Sequence, residues 1–237
     1  APLERIFGLP MTLEHVPNSA DSERHGLARI AVPLVLFVIA IGCLTIDIPT
    51  ARLAHWCFEH QGYAKPIFEC LDRAEAFGHA FGALLVITTV VLLDPRMRYR
   101  WGWIAGGTFG AGLLANAIKL VVVRTRPRAS DLIDGSVWQT FQGWIQRESS
   151  SGKQSFPSGH TATAVGLAVV LAGLYPRGKW LFATMATLVG LHRIFHSAHF
   201  PSDVFAAAGI GWLIGSCCLY GDSRRLNRAD SSDQLSV

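Results

Sequence analysis

Charge is scarce in this chain: 16% of its 237 residues are Asp, Glu, Lys or Arg, whereas 50% are hydrophobic. A soluble domain carries about a quarter charged residues, so this balance excludes an ordinary soluble enzyme and points to a membrane protein. No basic run is interleaved with aromatics, which removes nucleic acid as a partner. Cysteine is sparse too, with five residues and no metal-ligand spacing among them. Cys43, Cys217 and Cys218 fall in apolar runs, where a thiol acts as a small hydrophobe. Cys57 and Cys70 share one loop and are positioned for a bridge if that loop faces an oxidising compartment. The first 26 residues scatter Glu4, Arg5, Glu14, Asp21 and Glu23 around Pro2, Pro10 and Pro17, without the apolar centre of a cleavable signal peptide.

What the chain has in place of charge is a series of apolar runs. A helix rising 1.5 Å per residue needs about 20 such residues to cross a hydrocarbon core of ~30 Å. Six candidates fit: about 27–46, 74–93, 101–123, 159–175, 180–198 and 203–220. The expected fold is therefore all-α, a bundle of six transmembrane helices forming one domain over 27–220. A polar arm (1–26) precedes it and a polar tail (221–237) follows. Between the first two spans, Ala51 to Phe58 mixes apolar residues with Arg52 and His55, the pattern of a short interfacial helix with Trp56 at headgroup level. The third span carries Gly106, Gly107, Gly110 and Gly112, which permit close helix approach.

An even number of crossings puts both termini on one side. The turns 94–100 and 176–179 share that side with a tail bearing Arg224, Arg225 and Arg228, so the positive-inside rule makes it cytoplasmic. Loops 47–73, 124–157 and 199–203 then face outward. Loop 124–157 breaks the rule locally, with five Lys or Arg against three acids. Binding of an anion gives that excess a purpose.

Three stretches that this topology brings to the outward face carry costly polar groups. Lys119 is separated by six residues from Arg126-Pro127; Pro157-Ser158-Gly159-His160 opens the fourth span; and Arg193, His199 and Asp203 surround the junction of the last two spans. Ionisable groups at a membrane edge mark functional sites. Lys119, Arg126 and Arg193 are permanent cations, and arginine can chelate two oxygens of an oxoanion through its planar fork. Ser158, Gly159 and His160 sit where a helix N-terminus offers backbone N–H groups to an anion, with Gly159 allowing close approach. Pro201 breaks the path from His199 to Asp203, so Ser202 is expected to cap the last helix with Asp203 in its first turn. Asp203 can then orient the His199 imidazole.

In order and spacing these stretches resemble the signature of the type 2 phosphatidic acid phosphatase and vanadium haloperoxidase superfamily: K-x6-R-P, P-S-G-H and S-R-x5-H-x3-D. They depart from it once, with His192 where the pattern has Ser. The resemblance implies that His199 is a nucleophile forming a phosphohistidine, with Asp203 as its orienting partner. It implies His160 as the acid that protonates the leaving alcohol and the base that then activates water. Lys119, Arg126, Ser158, Gly159 and Arg193 would bind the phosphate, with no metal or other cofactor.

The expected activity is hydrolysis of a phosphomonoester or diphosphate on a lipid. A site at the bilayer rim, at the outward ends of helices 3 to 6, favours an amphiphile whose tail stays in hydrocarbon. The same cradle would serve a lipid phosphotransferase, or hold vanadate in a haloperoxidase, although haloperoxidases resemble larger soluble chains. A non-enzymatic transporter leaves the cations and imidazoles without a purpose. The expected location is a bacterial inner membrane, with the site facing the periplasm or exterior and phosphorylated lipid as partner; the oligomeric state stays open. Three further features stand outside the signature. His192, His196 and His199, spaced four and three apart, would form one zinc-binding face if helical throughout. Glu75 and His79 are placed to line the approach to the site, and Asn116 lies one turn before Lys119.

Overall fold

Apolar periodicity makes most of the chain helical, and the breaks fall where proline, glycine or a buried polar group interrupts it. A computed structural model describes residues 19–60, 62, 65–130, 135–145 and 151–234. The helices are α1 (Ser19–Cys43), α2 (Asp47–Glu59), α3 (Lys65–Glu75), α4 (Ala80–Leu93), α5 (Trp101–Val121), α6 (Gly159–Leu174), α7 (Lys179–Phe195) and α8 (Pro201–Gln234). Most of the expected polar arm, together with Asp131, Asp134, Arg147 and Glu148 of the long loop, lies outside the described residues.

Among the described residues three helical stretches are long and apolar enough to cross a membrane: Gly26–Cys43, Trp101–Val121 and Pro201–Arg225. The pair α3 and α4, bent by 63° at its break, adds a fourth if counted as one span. α6 is apolar but has only 16 residues, and α7 has 17, so length alone does not give the expected six. The outward surfaces of α1, α4 and α5 expose Leu34, Val38, Leu85, Leu92 and Leu113, as a lipid-facing wall requires.

α6 is the centre of the bundle, packed against α5, α7 and α8, while α1 lies along α8. The approach is close because added Cβ atoms at Gly107 of α5, Gly166 of α6 and Gly211 of α8 would run into the neighbouring helix. The core around α6 includes Leu167, Val170, Leu171 and Ala164, joined by Ile104 of α5, Ile87 of α4 and Val189 of α7.

Two local departures from the expected fold shape the site. The second span does not start as a helix at residue 74: α3 ends at Glu75, and α4 restarts at Ala80 with the His79 side chain accepting from the Phe81 N–H at 3.3 Å. Gly78 in this break faces the start of α6, where a Cβ would lie 2.6 Å from the His160 carbonyl oxygen. The long loop is also less than fully irregular. Strand β1 (Val122–Arg124) pairs antiparallel with β2 (Phe141–Trp144), a two-stranded sheet that an all-α expectation lacks.

At the other end of the bundle Arg100 Nε donates to Asp222 at 2.6 Å, and Arg29 lies over the Tyr220 ring at 4.0 Å. α8 therefore continues through the expected boundary at residue 220 to Gln234. All five cysteines are free, so the bridge considered between Cys57 and Cys70 is not formed.

Candidate active site

Lys119 in the last turn of α5, His160 in the first turn of α6, Arg193 at the end of α7 and Asp203 in the first turn of α8 all arrive at one end of the bundle. The α5–α6 connection brings Arg126 there, and the α7–α8 connection brings His199. Electrostatic coupling ties the set together: Lys119 senses Arg126, Arg193 and Asp203; His160 senses Arg193 and His199; His199 senses Lys119 and Arg193. The three distant sequence stretches thus meet.

Each group is placed by local structure. Ser158 is the N-cap of α6, its Oγ accepting from Thr161 N at 3.4 Å and from the Thr161 hydroxyl at 2.9 Å, which leaves its own proton to donate. Gly159 follows; a Cβ there would stand 3.0 Å from Asn116 Oδ1 and 3.7 Å from Lys119 Nζ, so the missing side chain keeps the lysine close to the helix start. Asn116 is accordingly part of this floor. His199 is held from its backbone, its N–H donating to the Arg193 carbonyl at 3.1 Å. Asp203 lies in the first turn as expected. Ser202 does not cap α8, because the helix already begins at Pro201 and the Ser202 hydroxyl is turned to Asp47 instead.

Asp203 is fixed on several sides. Its Oδ2 accepts from Ser155 Oγ at 2.6 Å and from the Phe200 N–H at 2.9 Å, and its Oδ1 accepts from Arg124 Nη1 at 2.5 Å. His199 Nδ1 stands 3.6 Å from Asp203 Oδ2, just beyond hydrogen-bond range. Burial drives the His199 imidazole down to about 4, only partly opposed by Asp203, so the ring is neutral near pH 7. Nδ1 faces the carboxylate, which leaves Nε2 to face other groups.

Unpartnered donors mark the centre. Among the described residues six buried side-chain polar atoms lack a hydrogen-bond partner, and two of them are the guanidinium donors Arg126 Nε and Arg193 Nε. An unsatisfied buried donor costs about 1–3 kcal/mol, more when charged, so such a concentration calls for an acceptor. Burial, with Arg128 and Arg193 nearby, lowers Arg126 to about 10. This is a cationic cradle that lacks an equivalent number of anions.

Several contributors stood outside the sequence expectation. Arg124 is fully buried; besides Asp203 it donates to Thr140 Oγ1 at 3.1 Å, Ser202 Oγ at 2.7 Å and Asp47 Oδ2 at 2.6 Å. The rings of Phe141 and Phe200 flank its guanidinium at 4.5 and 4.2 Å. Asp47, the first residue of the expected outward loop 47–73, anchors α2 to this cluster, and burial raises its pKa despite Arg124. Glu75 does line the approach: its Oε1 accepts from Arg193 Nη1 at 2.6 Å and stands 3.6 Å from His160 Nε2. The sequence reading places Glu75 at the approach, whereas only a hydrophilic residue at an apolar-run boundary hints at Asp47.

His192, where the signature has Ser, points away from the cradle. Its ring lies against that of His196, tilted by 37° with centroids 4.1 Å apart, and its Nε2 faces Asp72 and Glu75. The expected trio of His192, His196 and His199 does not form. Helix α7 ends at Phe195, and Ser197 takes a positive φ of 48°, which turns His199 away from the other two imidazoles and towards Asp203.

The chain is similar to several known proteins. A lipid A 1-phosphatase of Porphyromonas gingivalis is 37% identical over 220 residues, 89% of this chain and 41% of that protein. A lipid A 1-phosphatase of Rhizobium johnstonii is 35% identical over 101 residues, 43% of this chain and 39% of the relative. A decaprenylphosphoryl-5-phosphoribose phosphatase of Mycobacterium tuberculosis is 28% identical over 138 residues, 58% of this chain and 70% of the relative. The chain spans about two fifths of the length of these lipid A 1-phosphatases. The crystal structure of a transmembrane PAP2 type phosphatidylglycerolphosphate phosphatase from Bacillus subtilis shares the fold, with a TM-score of 0.51 at 17% identity over 81% of this chain and 96% of that one. The pattern of the PAP2 superfamily matches residues 100–226, which hold every cradle residue from Lys119 to Asp203 and make up more than half of the sequence; the chain belongs to that superfamily.

Proposed function

We propose that this protein is an integral membrane phosphatase that hydrolyses a phosphomonoester or diphosphate on a lipid, through a covalent phosphohistidine on His199. The observation that carries the reading is the meeting of Lys119, Arg126 and Arg193 with two imidazoles around buried donors that lack an acceptor. A tetrahedral phosphoryl group fits the need, since catalysis of its transfer is mostly positioning and charge stabilisation. Relatives named as phosphatases of lipid A and of a decaprenyl-linked sugar phosphate support a lipid-borne substrate.

In this mechanism His199 Nε2 attacks phosphorus, forming a P–N bond as the P–O bond to the lipid breaks. His160 gives its proton to the departing oxygen. It then takes a proton from water, whose oxygen attacks phosphorus and breaks the P–N bond, freeing inorganic phosphate and restoring His199. Asp203, itself held by Ser155 and Arg124, supports the positive charge that develops on the ring. Lys119, Arg126, Arg193, the Ser158 hydroxyl and the backbone at Gly159 hold the phosphoryl oxygens. The cations supply the charge stabilisation that a metal supplies in other phosphatases, so turnover needs no metal at the reacting phosphorus.

Six helices, α1, α4, α5, α6, α7 and α8, would cross the membrane. The short α6 lies within the protein bundle, while α7 flanks it and exposes Trp180 and Leu181 at its starting end. The site then lies at the outward ends of α5 to α8, on the periplasmic or exterior side of an inner membrane. The opposite end carries Arg96, Arg98, Arg177 and Arg224, the cytoplasmic pattern.

The test is His199→Ala in detergent-solubilised protein, assayed for phosphate release from a panel of lipid phosphates. Release is lost while elution and thermal unfolding stay close to wild type, and an acid-labile label from radioactive substrate is trapped only by protein with His199. Undiminished turnover in the variant overturns the mechanism.

A further inference from the structure

Beside the cradle, and separated from it by Glu75, lies a second cluster for which the phosphatase reaction has no use. α3 presents Asp72 to α7, where His192 and His196 stand one turn apart on the same face. His192 Nε2 is 3.3 Å and His196 Nε2 2.8 Å from the same oxygen, Asp72 Oδ1, and all three ligand-type atoms fall within 4.8 Å of one another. Glu75 Oε2 is 3.6 Å from His192 Nε2, so a second carboxylate oxygen lies at the rim.

We propose that Asp72, His192 and His196 form a binding site for a borderline divalent transition ion of the Zn2+ class, with Glu75 Oε2 available as fourth ligand. Donors about 2.0–2.2 Å from a tetrahedral ion stand roughly 3.3–3.5 Å apart. The 3.3 Å separation already matches that spacing, and the 2.8 Å one reaches it by a small rotation of the half-exposed Asp72 carboxylate. Two imidazoles and one or two carboxylates are a donor set for zinc, cobalt, nickel or copper, not for the oxygen-seeking Mg2+ or Ca2+.

The hydrogen bonding is that of ligands, not of a closed ion pair. His196 Nε2 is buried and lacks a hydrogen bond despite its closeness to Asp72, because the contact is poorly aligned for one. His192 Nδ1 is also buried without a partner, so nothing fixes the tautomer and Nε2 is free to present its lone pair. The two rings lie 4.1 Å apart at a tilt of 37°, both Nε2 atoms face Asp72 Oδ1, and Phe58 and Phe68 pack edge-on against His196 at 5.2 and 5.7 Å and limit its rotation. A cleft of ≈ 330 Å³ lined by Asp72, His192, His196, Phe58, His55 and Arg128 gives an ion a route in. Of the two guanidiniums along it, Arg193 is already paired with Glu75.

The experiment uses the full chain in detergent, stripped with EDTA, loaded with Zn2+ and passed over a gel-filtration column. Metal is counted by mass spectrometry, and affinity is read by competition with a chromophoric zinc indicator. Wild type retains one equivalent. His196→Ala, Asp72→Asn and His192→Ser each lose at least about tenfold in affinity, with metal-free melting temperatures and elution unchanged. His192→Ser installs the residue of the family pattern, which keeps a folded comparison in hand if another variant fails to fold. Co2+ in place of Zn2+ gives visible tetrahedral absorption in wild type only. A wild-type protein that retains no Zn2+, or variants that bind it equally well, overturn the assignment. Neither readout depends on phosphatase activity, so failure here and failure of the catalytic reading are distinguishable.

Discussion

Replacing Arg124 by Met tests whether the outer end of the bundle is held by one buried cation. The side chain is wholly inaccessible and donates to Asp47, Asp203, Ser202 and Thr140, joining α2, the long loop and α8. Methionine keeps much of the volume between Phe141 and Phe200 but leaves two buried carboxylates without a counter-charge. Removing one partner of a buried pair costs about 3–5 kcal/mol, chiefly through the charge left behind. For a domain of this size each kcal/mol moves the melting temperature about 2–4 °C, so the expected fall is about 6–20 °C. Adding Asp47→Asn recovers part of it by removing one orphaned charge, whereas Arg124→Lys lands in between because one ammonium cannot span both acids. The assay is thermal unfolding in detergent, with tryptophan fluorescence and size exclusion read in parallel. Arg124→Met melting within a degree or two of wild type, or a double variant no better than the single, refutes the reasoning.

Two more outcomes follow from the geometry. Burial holds His199 at about 4, against an ordinary value near 6.5 for the unfolded chain; the unfolded state therefore binds the extra proton first, and stability falls as pH drops from about 6.5 to 4. In His199→Gln that acid loss of melting temperature is smaller, and an equal loss in both proteins contradicts the assignment. Gly78→Ala puts a methyl 2.6 Å from the His160 carbonyl oxygen and 2.7 Å from Val189, so the α3–α4 break or the start of α6 must shift; overpacking of this kind costs about 1–3 kcal/mol. It lowers phosphate release more than Gly102→Ala, whose Cβ meets nothing within 4 Å, and equal activity in the two would show that the break does not position His160.

The cradle was legible in the sequence because its members lie in short stretches of fixed spacing, each at the end of an apolar run. Lys119, Ser158, Gly159, His160, Arg193, His199 and Asp203 all sit within a turn of a helix end, and the fold brings those ends together. What stayed hidden depends on pairing across distance. Asp47 and Arg124 are 77 residues apart, and Glu75 and Arg193 are 118 apart; no local pattern announces either contact. The break after Glu75 escaped notice because 74–93 reads as one apolar run, and hydropathy does not reveal that Gly78 is needed against His160. His192 was the informative exception. Its departure from the signature drew attention to His196, but the third ligand is Asp72 from another helix and not His199 down the chain.

The difference between a cation that builds this site and one that binds there is a matter of acceptors, not of residue type. Arg124 and Arg126 are two positions apart in the same basic loop. Arg124 reaches two carboxylates and two hydroxyls, whereas Arg126 buries an Nε with no partner, and Arg193 is half satisfied, with Nη1 on Glu75 and Nε free. Folding gains nothing from burying an unpartnered guanidinium nitrogen, which costs more than a neutral donor would. A fold that keeps two of them beside a lysine is stabilised when a multi-oxygen anion arrives. Glu75 meanwhile offers Arg193 a carboxylate, the nearest protein analogue of two phosphoryl oxygens, at 2.6 Å. On the proposed reading a phosphoryl group would meet Arg193 at its free Nε beside that carboxylate, which makes Glu75 the point where the proposed cradle and the proposed Asp72–His192–His196 ligand set meet.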